Sequence, residues 1–192
     1  MMERRDLGKI WVYPQGRGII VGAEGLRMSE TEGTGHGIDL LVVDRTPAHV
    51  EVCKASVESS GLCRSFRVLG TFDEAVTFLS DVVEAEAPSL VVTALRIPSF
   101  EEGFMFLEWL RHEEGDFWRV PRIVLSASAT PAQIARAYWH GAQCFIPKPL
   151  QLDQLAEKWK TILSFYAGVE RAPVERQRRS RGFQELKEVK SG

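Results

Sequence analysis

Short apolar runs alternate with amphipathic stretches through the middle of the chain. Each run is too short for a helix and is typical of a strand that is buried on both faces of a sheet. The predicted strands are Leu40–Asp44, Phe66–Leu69, Leu90–Leu95, Ile123–Leu125 and Cys144–Ile146. Between them, apolar residues recur at helical spacing, as at Val50, Cys53 and Val57. The pattern therefore predicts five strand–helix units in succession.

The predicted helices carry local start and stop signals. Thr46 and Thr130 are each followed by proline, which is the pattern of an N-cap residue before the first helical position. The segments Thr71–Glu74 and Ser99–Glu102 have the spacing of a capping box. Gly61 follows the first helix and favours its termination there. These signals agree with the hydrophobic periodicity, so the α/β alternation rests on two independent patterns.

Successive strand–helix units favour a parallel sheet with helices on both faces, connected by right-handed crossovers. In open sheets of this kind, functional residues lie just beyond the carboxyl ends of the strands. The residues at those positions are Asp44, Arg45, Ala94, Leu95, Ser126, Ala127 and Lys148. We take them as the candidate functional residues.

Four segments at these spacings together resemble the receiver domain of two-component response regulators. They are Leu41–Asp44, Ser89–Pro98, Ile123–Ala127 and Gly141–Pro149. The resemblance covers residues 38–168 and implies a flavodoxin-like (CheY-like) doubly wound fold. Its sheet has five parallel strands in the order 2-1-3-4-5, with helices on both faces. The resemblance also implies a cis peptide at Lys148–Pro149, which an X–Pro bond permits at low cost.

The resemblance assigns roles to several of the candidate residues. In the family, a carboxylate after the third strand accepts a phosphoryl group, and acids after the first strand help to hold Mg²⁺. A hydroxyl and a lysine bind the phosphoryl oxygens. Carried onto this chain, Asp44 is the first acid, Ser126 is the hydroxyl, Lys148 is the lysine and Phe145 stands at the switch aromatic position.

Two departures from the family pattern affect the chemistry. Ala94 occupies the phosphoacceptor position, and a methyl group cannot form an acyl phosphate. Arg45 replaces the second acid and puts a positive charge where a metal ligand is needed. One charge pair at about 4 Å is worth about 4 kcal/mol at an effective dielectric constant of about 20, so Mg²⁺ binding is predicted to be lost. We therefore expect neither a metal nor any other cofactor.

Other residues near the predicted pocket do not restore the acceptor. Thr93 precedes Ala94, and adjacent strand residues point to opposite faces. Glu101 and Glu102 lie in the next loop, and the sequence does not place them in the pocket. What remains is Asp44 facing Lys148 as an ion pair, with or without the contribution of Arg45.

These observations predict an atypical response-regulator receiver, or pseudo-receiver, in phosphorelay-type signal transduction. It is expected to be unphosphorylated, to act by protein–protein interaction and not to be an enzyme, since Ser126 has no evident histidine partner. Family resemblance implies a histidine kinase or a downstream effector as partner. It also implies a homodimer through the fourth helix, fifth strand and fifth helix, within residues 130–166. Alternatives are a stand-alone regulator with a non-standard phosphoryl or ligand switch, and a regulator that contacts nucleic acid through a basic tail.

Composition narrows the environment and the partners. The formal net charge is −2, which argues against nucleic acid as the main partner. No apolar run reaches the roughly 18 residues of a spanning helix, so we expect a cytoplasmic protein without a membrane partner. Cys53, Cys63 and Cys144 are odd in number and widely spaced, which predicts free thiols rather than disulfides or a zinc site.

The two flanks differ from the central zone. Residues 1–37 are rich in glycine and are predicted to form an extension that is either a hairpin or disordered. A further interpretation places the translated start at Met28, which leaves residues 1–27 untranslated. Residues 169–192 are charged and are predicted to be a disordered tail, with a basic segment at Glu175–Arg181.

Overall fold

A computed structural model describes residues 10–12, 19–20, 26–27, 37–82, 87–111 and 117–169. The charged tail from residue 170 onwards lies outside the described residues, as does most of the glycine-rich extension. The strands are β1 (Ile10–Val12), β2 (Ile19–Ile20), β3 (Leu26–Arg27), β4 (Ile38–Val43), β5 (Cys63–Leu69), β6 (Leu90–Thr93), β7 (Arg122–Ser126) and β8 (Cys144–Pro147). The helices are α1 (Pro47–Ser60), α2 (Phe72–Asp81), α3 (Phe100–Arg111), α4 (Pro131–Trp139) and α5 (Leu152–Ala167).

The five predicted strands form the parallel part of one sheet. Their order is β5-β4-β6-β7-β8, which is the predicted order 2-1-3-4-5 and confirms the flavodoxin-like fold. The sheet continues past β5 with three short antiparallel strands in the order β1, β2 and β3. Ile10 pairs with Arg67, so β1 covers the edge of β5 that the parallel strands leave open. The predicted sheet did not include these strands.

The predicted helix boundaries follow from local capping. Helix α1 begins at Pro47 after an extended Thr46 and ends before Gly61, whose φ of 62° places it in the left-handed region that glycine tolerates. Capping boxes open α2 at Thr71 and α4 at Thr130. The Ser99 hydroxyl likewise accepts from the Glu102 amide at 3.2 Å before α3. The start signals identified in the sequence are confirmed.

The central strands are buried on both faces, as parallel strands require. Leu40 and Val42 of β4 pack with residues of α1 and α5, whereas Leu41 and Val43 pack with residues of α2 and α3. This alternation follows from the two-residue period of a strand. The sheet is therefore sandwiched between two helical layers, and its strand ends are the positions where polar groups can meet.

Two buried charges at the amino ends of the strands have structural partners. Asp39 accepts hydrogen bonds from the Arg64 guanidinium and, at 2.7 Å, from the Ser65 hydroxyl. Arg122 donates to the carbonyls of Leu110 at 2.9 Å and Gly141 at 2.8 Å, which tie the ends of α3 and α4 to β7. Both charges are satisfied within the fold, which leaves the opposite edge of the sheet for function.

The sequence predicted the isomer of the Lys148–Pro149 peptide bond and the redox state of the cysteines. The Lys148–Pro149 peptide is trans, so the predicted cis bond is wrong; the cis bond in the described chain is Ile97–Pro98. The two isomers of an X–Pro bond differ by only about 0.5–1 kcal/mol, so the dipeptide does not decide between them. The cysteines are free thiols, as predicted.

Within the described residues, no helix combines the length and the apolar character that crossing a membrane requires.

Candidate functional site

The carboxyl ends of four neighbouring strands bring the candidate residues to one edge of the sheet. Asp44 follows β4, Ala94 follows β6, Ser126 ends β7 and Lys148 follows β8. The backbone fixes their spacing, because the Ala94 amide donates to Val43 O at 2.8 Å and the Lys148 amide donates to Ser126 O at 3.0 Å. Residues separated by about a hundred positions in sequence therefore share one site.

Asp44 and Lys148 form a buried ion pair at the centre of this edge. Lys148 Nζ lies 2.5 Å from Asp44 Oδ2, and both residues are 8% exposed. The other carboxylate oxygen, Oδ1, accepts from the Thr46 amide at 3.0 Å just before α1. Charge-assisted bonds of this kind are stronger than neutral ones. Asp44 thus uses both oxygens within the fold, one to hold the lysine and one to start the helix.

His49 is a third member of the site that the sequence did not indicate. Its Nδ1 lies 3.2 Å from Lys148 Nζ and 3.9 Å from Asp44 Oδ2. Burial lowers the pKa of His49, the Lys148 charge lowers it further, and Asp44 opposes the shift. A neutral imidazole Nδ1 accepts a hydrogen bond from the Lys148 ammonium. The lysine is therefore held by a carboxylate on one side and an imidazole on the other.

The phosphoacceptor position contains a buried methyl group. Ala94 packs in the apolar cluster that includes Leu69 and Ile97. Thr93 is fully buried, and its hydroxyl donates to the Ala94 carbonyl at 2.9 Å rather than serving the site. Ser126 is also buried, with its hydroxyl 3.5 Å from Ala127 O, a long distance for an O–H···O bond. The residue that directly follows β6 therefore offers no carboxylate as a nucleophile.

The acids of α3 have partners elsewhere. Glu102 Oε2 accepts from the Ser99 amide at 3.0 Å and from the Ser99 hydroxyl at 2.6 Å. Glu101 pairs with Arg136 at 2.6 Å. The sequence left open whether these acids approach the pocket; in the structure both point to other partners.

The site offers few oxygen ligands to a cation such as Mg²⁺. This ion requires near-octahedral oxygen ligands, and Asp44 is the one acid at the four strand ends described above. Both of its oxygens are engaged, and the next residue is the exposed Arg45, which forms no ion pair with any residue the structure describes. The described parts of the chain also contain no group of three or more His, Cys, Asp or Glu side chains arranged to hold a metal ion.

Phe145 lies on the edge strand β8, opposite Val124 of β7. It is half-buried and packs against the apolar cluster that includes Leu95, Phe104 and Val124. Its backbone amide donates to the Tyr138 hydroxyl of α4 at 3.1 Å. The aromatic side chain thus belongs to the packing beneath α4.

A parallel sheet in this order, with an acid, a hydroxyl and a lysine at its carboxyl edge, defines a receiver-type signalling fold. The family model of the response regulator receiver domain matches residues 40–160. The chain belongs to this family, whose members work in two-component signalling.

Named relatives and solved structures agree with the family. Response regulator Rre1 of Synechocystis sp. is 28% identical over 153 residues, covering 80% of this chain and 63% of Rre1. The chain thus spans less than two thirds of that protein's length. The two-component response regulator ARR17 of Arabidopsis thaliana is 32% identical over 127 residues, covering 66% of this chain and 78% of ARR17.

The phosphorylated cyanobacterial phytochrome response regulator RcpA has a similar fold, with a TM-score of 0.62 at 23% identity over 69% of this chain and 95% of that structure. A receiver domain from Rhodospirillum rubrum gives a TM-score of 0.61 at 17% identity over 71% of this chain and 98% of that structure. At these identities the likeness concerns the fold alone.

His49 should make the stability of the domain depend on pH. Its pKa in the folded chain is lowered from the ordinary value of 6.5, so the unfolded chain binds the proton more readily. The free energy of unfolding should therefore fall as the pH drops below about 6.5 and level off below the folded pKa. Urea unfolding at a series of pH values measures this, with His49→Gln as the comparison. Equal pH slopes for the two proteins between about pH 6.5 and 5 would contradict the assignment.

Proposed function

We propose that this protein is an atypical receiver that takes part in two-component signalling through protein contacts and without phosphorylation. The observation that carries the proposal is the buried methyl group of Ala94 after β6. A phosphoryl group can be accepted there only by a nucleophilic atom, and alanine has none. The proposal also holds that the domain is not an enzyme, since among the described residues the Ser126 hydroxyl has a backbone carbonyl and no base as its partner.

The state of Lys148 supports the same proposal. In an active receiver site the lysine has to reach the phosphoryl oxygens, so it must be free to leave its resting partners. Here its ammonium group contacts Asp44 at 2.5 Å and His49 at 3.2 Å, and its side chain is 4% exposed. Removing one partner of a buried ion pair is strongly unfavourable. The site is therefore suited to holding one conformation rather than to switching.

Incubation with acetyl phosphate and Mg²⁺ tests the proposal directly. Intact-mass measurement should find the wild-type chain unmodified, whereas a phosphorylatable receiver treated in parallel gains one phosphoryl group. The positive control is needed because acyl phosphates hydrolyse during handling. An adduct on this protein that is lost at alkaline pH would overturn the proposal.

The partner surface that we propose comprises α4, β8 and α5. Exposed apolar side chains are frequent on this surface, and Trp139 at the end of α4 is 78% exposed. The others are Tyr138 on α4, Leu152 and Phe165 on α5, and Leu150 in the loop between β8 and α5. Exposed apolar groups in one region mark protein interaction sites more often than isolated ones do. Two relatives of this chain are named as response regulators. We therefore propose a histidine kinase or a downstream effector as the partner.

The same surface is proposed to support homodimers. Replacing Trp139 by serine removes its largest exposed apolar side chain and should shift the molar mass measured by light scattering towards the monomer. Trp118 is 42% exposed but lies between α3 and β7, outside this surface, so Trp118→Ser is the matched control. A wild-type protein that is monomeric at all accessible concentrations would exclude the homodimer. Loss of the dimer in both variants equally would argue against this surface.

A further inference from the structure

Helix α4 is anchored by little apolar burial. Of its nine residues only Ala137 is buried, and alanine contributes little apolar area. By contrast, α5 buries Leu155, Trp159, Ile162 and Leu163. Helices in proteins derive most of their stability from packing an apolar face, so α4 needs other contacts to stay in place.

Polar and aromatic contacts between α3 and α4 supply that anchorage. We call them the α3–α4 clamp; its members are Glu101, Phe104 and Glu108 on α3, Arg136 on α4 and His140 directly after α4. Arg136 makes a bidentate pair with Glu101, with both N···O distances at 2.6 Å. The same guanidinium lies 4.1 Å from the centre of the Phe104 ring. Arg136 therefore contacts α3 through both a carboxylate and an aromatic ring, and Arg111 of α3 adds a hydrogen bond from its Nη1 to the Trp139 carbonyl at 3.1 Å.

His140 extends the α3–α4 clamp to the C-terminal end of α4. Its ring stacks on Phe104 with 5.4 Å between the ring centres, and its Nδ1 lies 3.1 Å from Glu108 Oε2. Its Nε2 faces Arg136 Nε at 3.4 Å. The charged groups of the clamp lie at the protein surface, where salt screens their interactions.

An apolar cluster lies beneath α4 and would be uncovered if the helix moved away. Leu95, Phe104, Leu107, Val124 and Ala142 form it together with Ala137 of α4 itself, and Phe145 packs against it. The Tyr138 hydroxyl also bonds to the backbone of β8, so opening breaks one further hydrogen bond. Elements with few buried apolar contacts and solvent-exposed polar ones open at a lower free energy than the core does.

We propose that α4 opens as a unit separate from the rest of the domain and that the α3–α4 clamp sets how often it opens. Opening then exposes the apolar cluster beneath α4 to a partner. The charges of the α3–α4 clamp control this exposure, and no phosphorylation is needed because the phosphoacceptor position is alanine. The use of the opening for signalling rests on the proposed function. The opening itself is measured without a partner or a phosphoryl donor. The opening of α4 and the proposed signalling function can therefore fail independently of each other.

Hydrogen–deuterium exchange of the full chain tests the inference. Glu101→Gln and Arg136→Gln should each speed exchange of α4 amides by about two- to fivefold, with little change in α1 and α5. Arg136→Gln is needed because Glu101 lies in the first turn of α3, where its charge also stabilises that helix. In wild-type protein, raising the salt to about 1 M should produce the same local acceleration.

Glu157→Gln is the matched control. Glu157 is similarly exposed and pairs with Lys160 at 2.7 Å within α5, away from the α3–α4 clamp. It should leave α4 exchange unchanged. If the α4 amides exchanged at the wild-type rate in both Glu101→Gln and Arg136→Gln, the α3–α4 clamp would not control the opening. Equal acceleration of all helices would overturn the separate opening, because α4 would then exchange only with global unfolding.

Discussion

Replacing Ala94 and Arg45 together by aspartate should convert the domain into a phosphoryl acceptor. The first substitution supplies a carboxylate after β6, and the second removes a positive charge and adds an acid beside Asp44. With acetyl phosphate and Mg²⁺, the double variant should gain the mass of one phosphoryl group, whereas wild type should gain none. The gain is qualitative, from no reaction to a detectable adduct, and is therefore the largest effect we expect.

The single variants separate the two requirements. Ala94→Asp alone provides the nucleophile but keeps the positive charge of Arg45 next to Asp44, which disfavours a bound cation. It should therefore react much less than the double variant. Arg45→Asp alone lacks the nucleophile and should not react. Equal labelling of the Ala94→Asp single variant and the double variant would show that Arg45 does not oppose the metal.

Gly103→Ala should cause the largest loss of stability among the simple substitutions considered. Gly103 lies in the first turns of α3, and a Cβ placed there would be 1.9 Å from the Leu95 carbonyl oxygen. Alanine is favoured over glycine inside a helix by about 1 kcal/mol, but a contact this short with backbone forces α3 to move. We expect a net loss of about 2–3 kcal/mol in the free energy of unfolding, measured by urea denaturation.

Gly70→Ala is the matched control for this prediction. A Cβ at Gly70 would have Glu74 Oε2 as its nearest neighbour at 3.5 Å, an ordinary contact distance. The free energy of unfolding should change by less than about 0.5 kcal/mol. If Gly103→Ala were as stable as Gly70→Ala, α3 would not be held against the Leu95 backbone in the way that the structure indicates.

The features of the fold that could be predicted from sequence are those that local pattern determines. Apolar runs and capping signals located the five parallel strands and the starts of their helices, and the family resemblance supplied the strand order. The short strands β1, β2 and β3 were not predicted as part of this sheet, since strands of two or three residues have no detectable period. The trans Lys148–Pro149 bond likewise depends on context beyond the dipeptide.

The candidate site was only partly predictable. The pairing of Asp44 with Lys148, 104 positions apart, follows from placing both at the carboxyl ends of strands in one sheet. The approach of His49 does not, because it depends on the rotation of α1 and on the conformation of the lysine. The α3–α4 clamp is similar: Glu101 and Arg136 lie 35 positions apart on helices whose relative orientation no local pattern specifies.

The edge strand β8 limits how a partner can bind. The Phe145 amide is already bonded to the Tyr138 hydroxyl, and Pro147 has no amide hydrogen to offer. An incoming strand that tried to extend the sheet at this edge would meet a ladder with its donors missing. Recognition at this edge by strand addition is therefore disfavoured. The β8 edge is thus a poor template for a further strand, although exposed aromatic groups lie nearby.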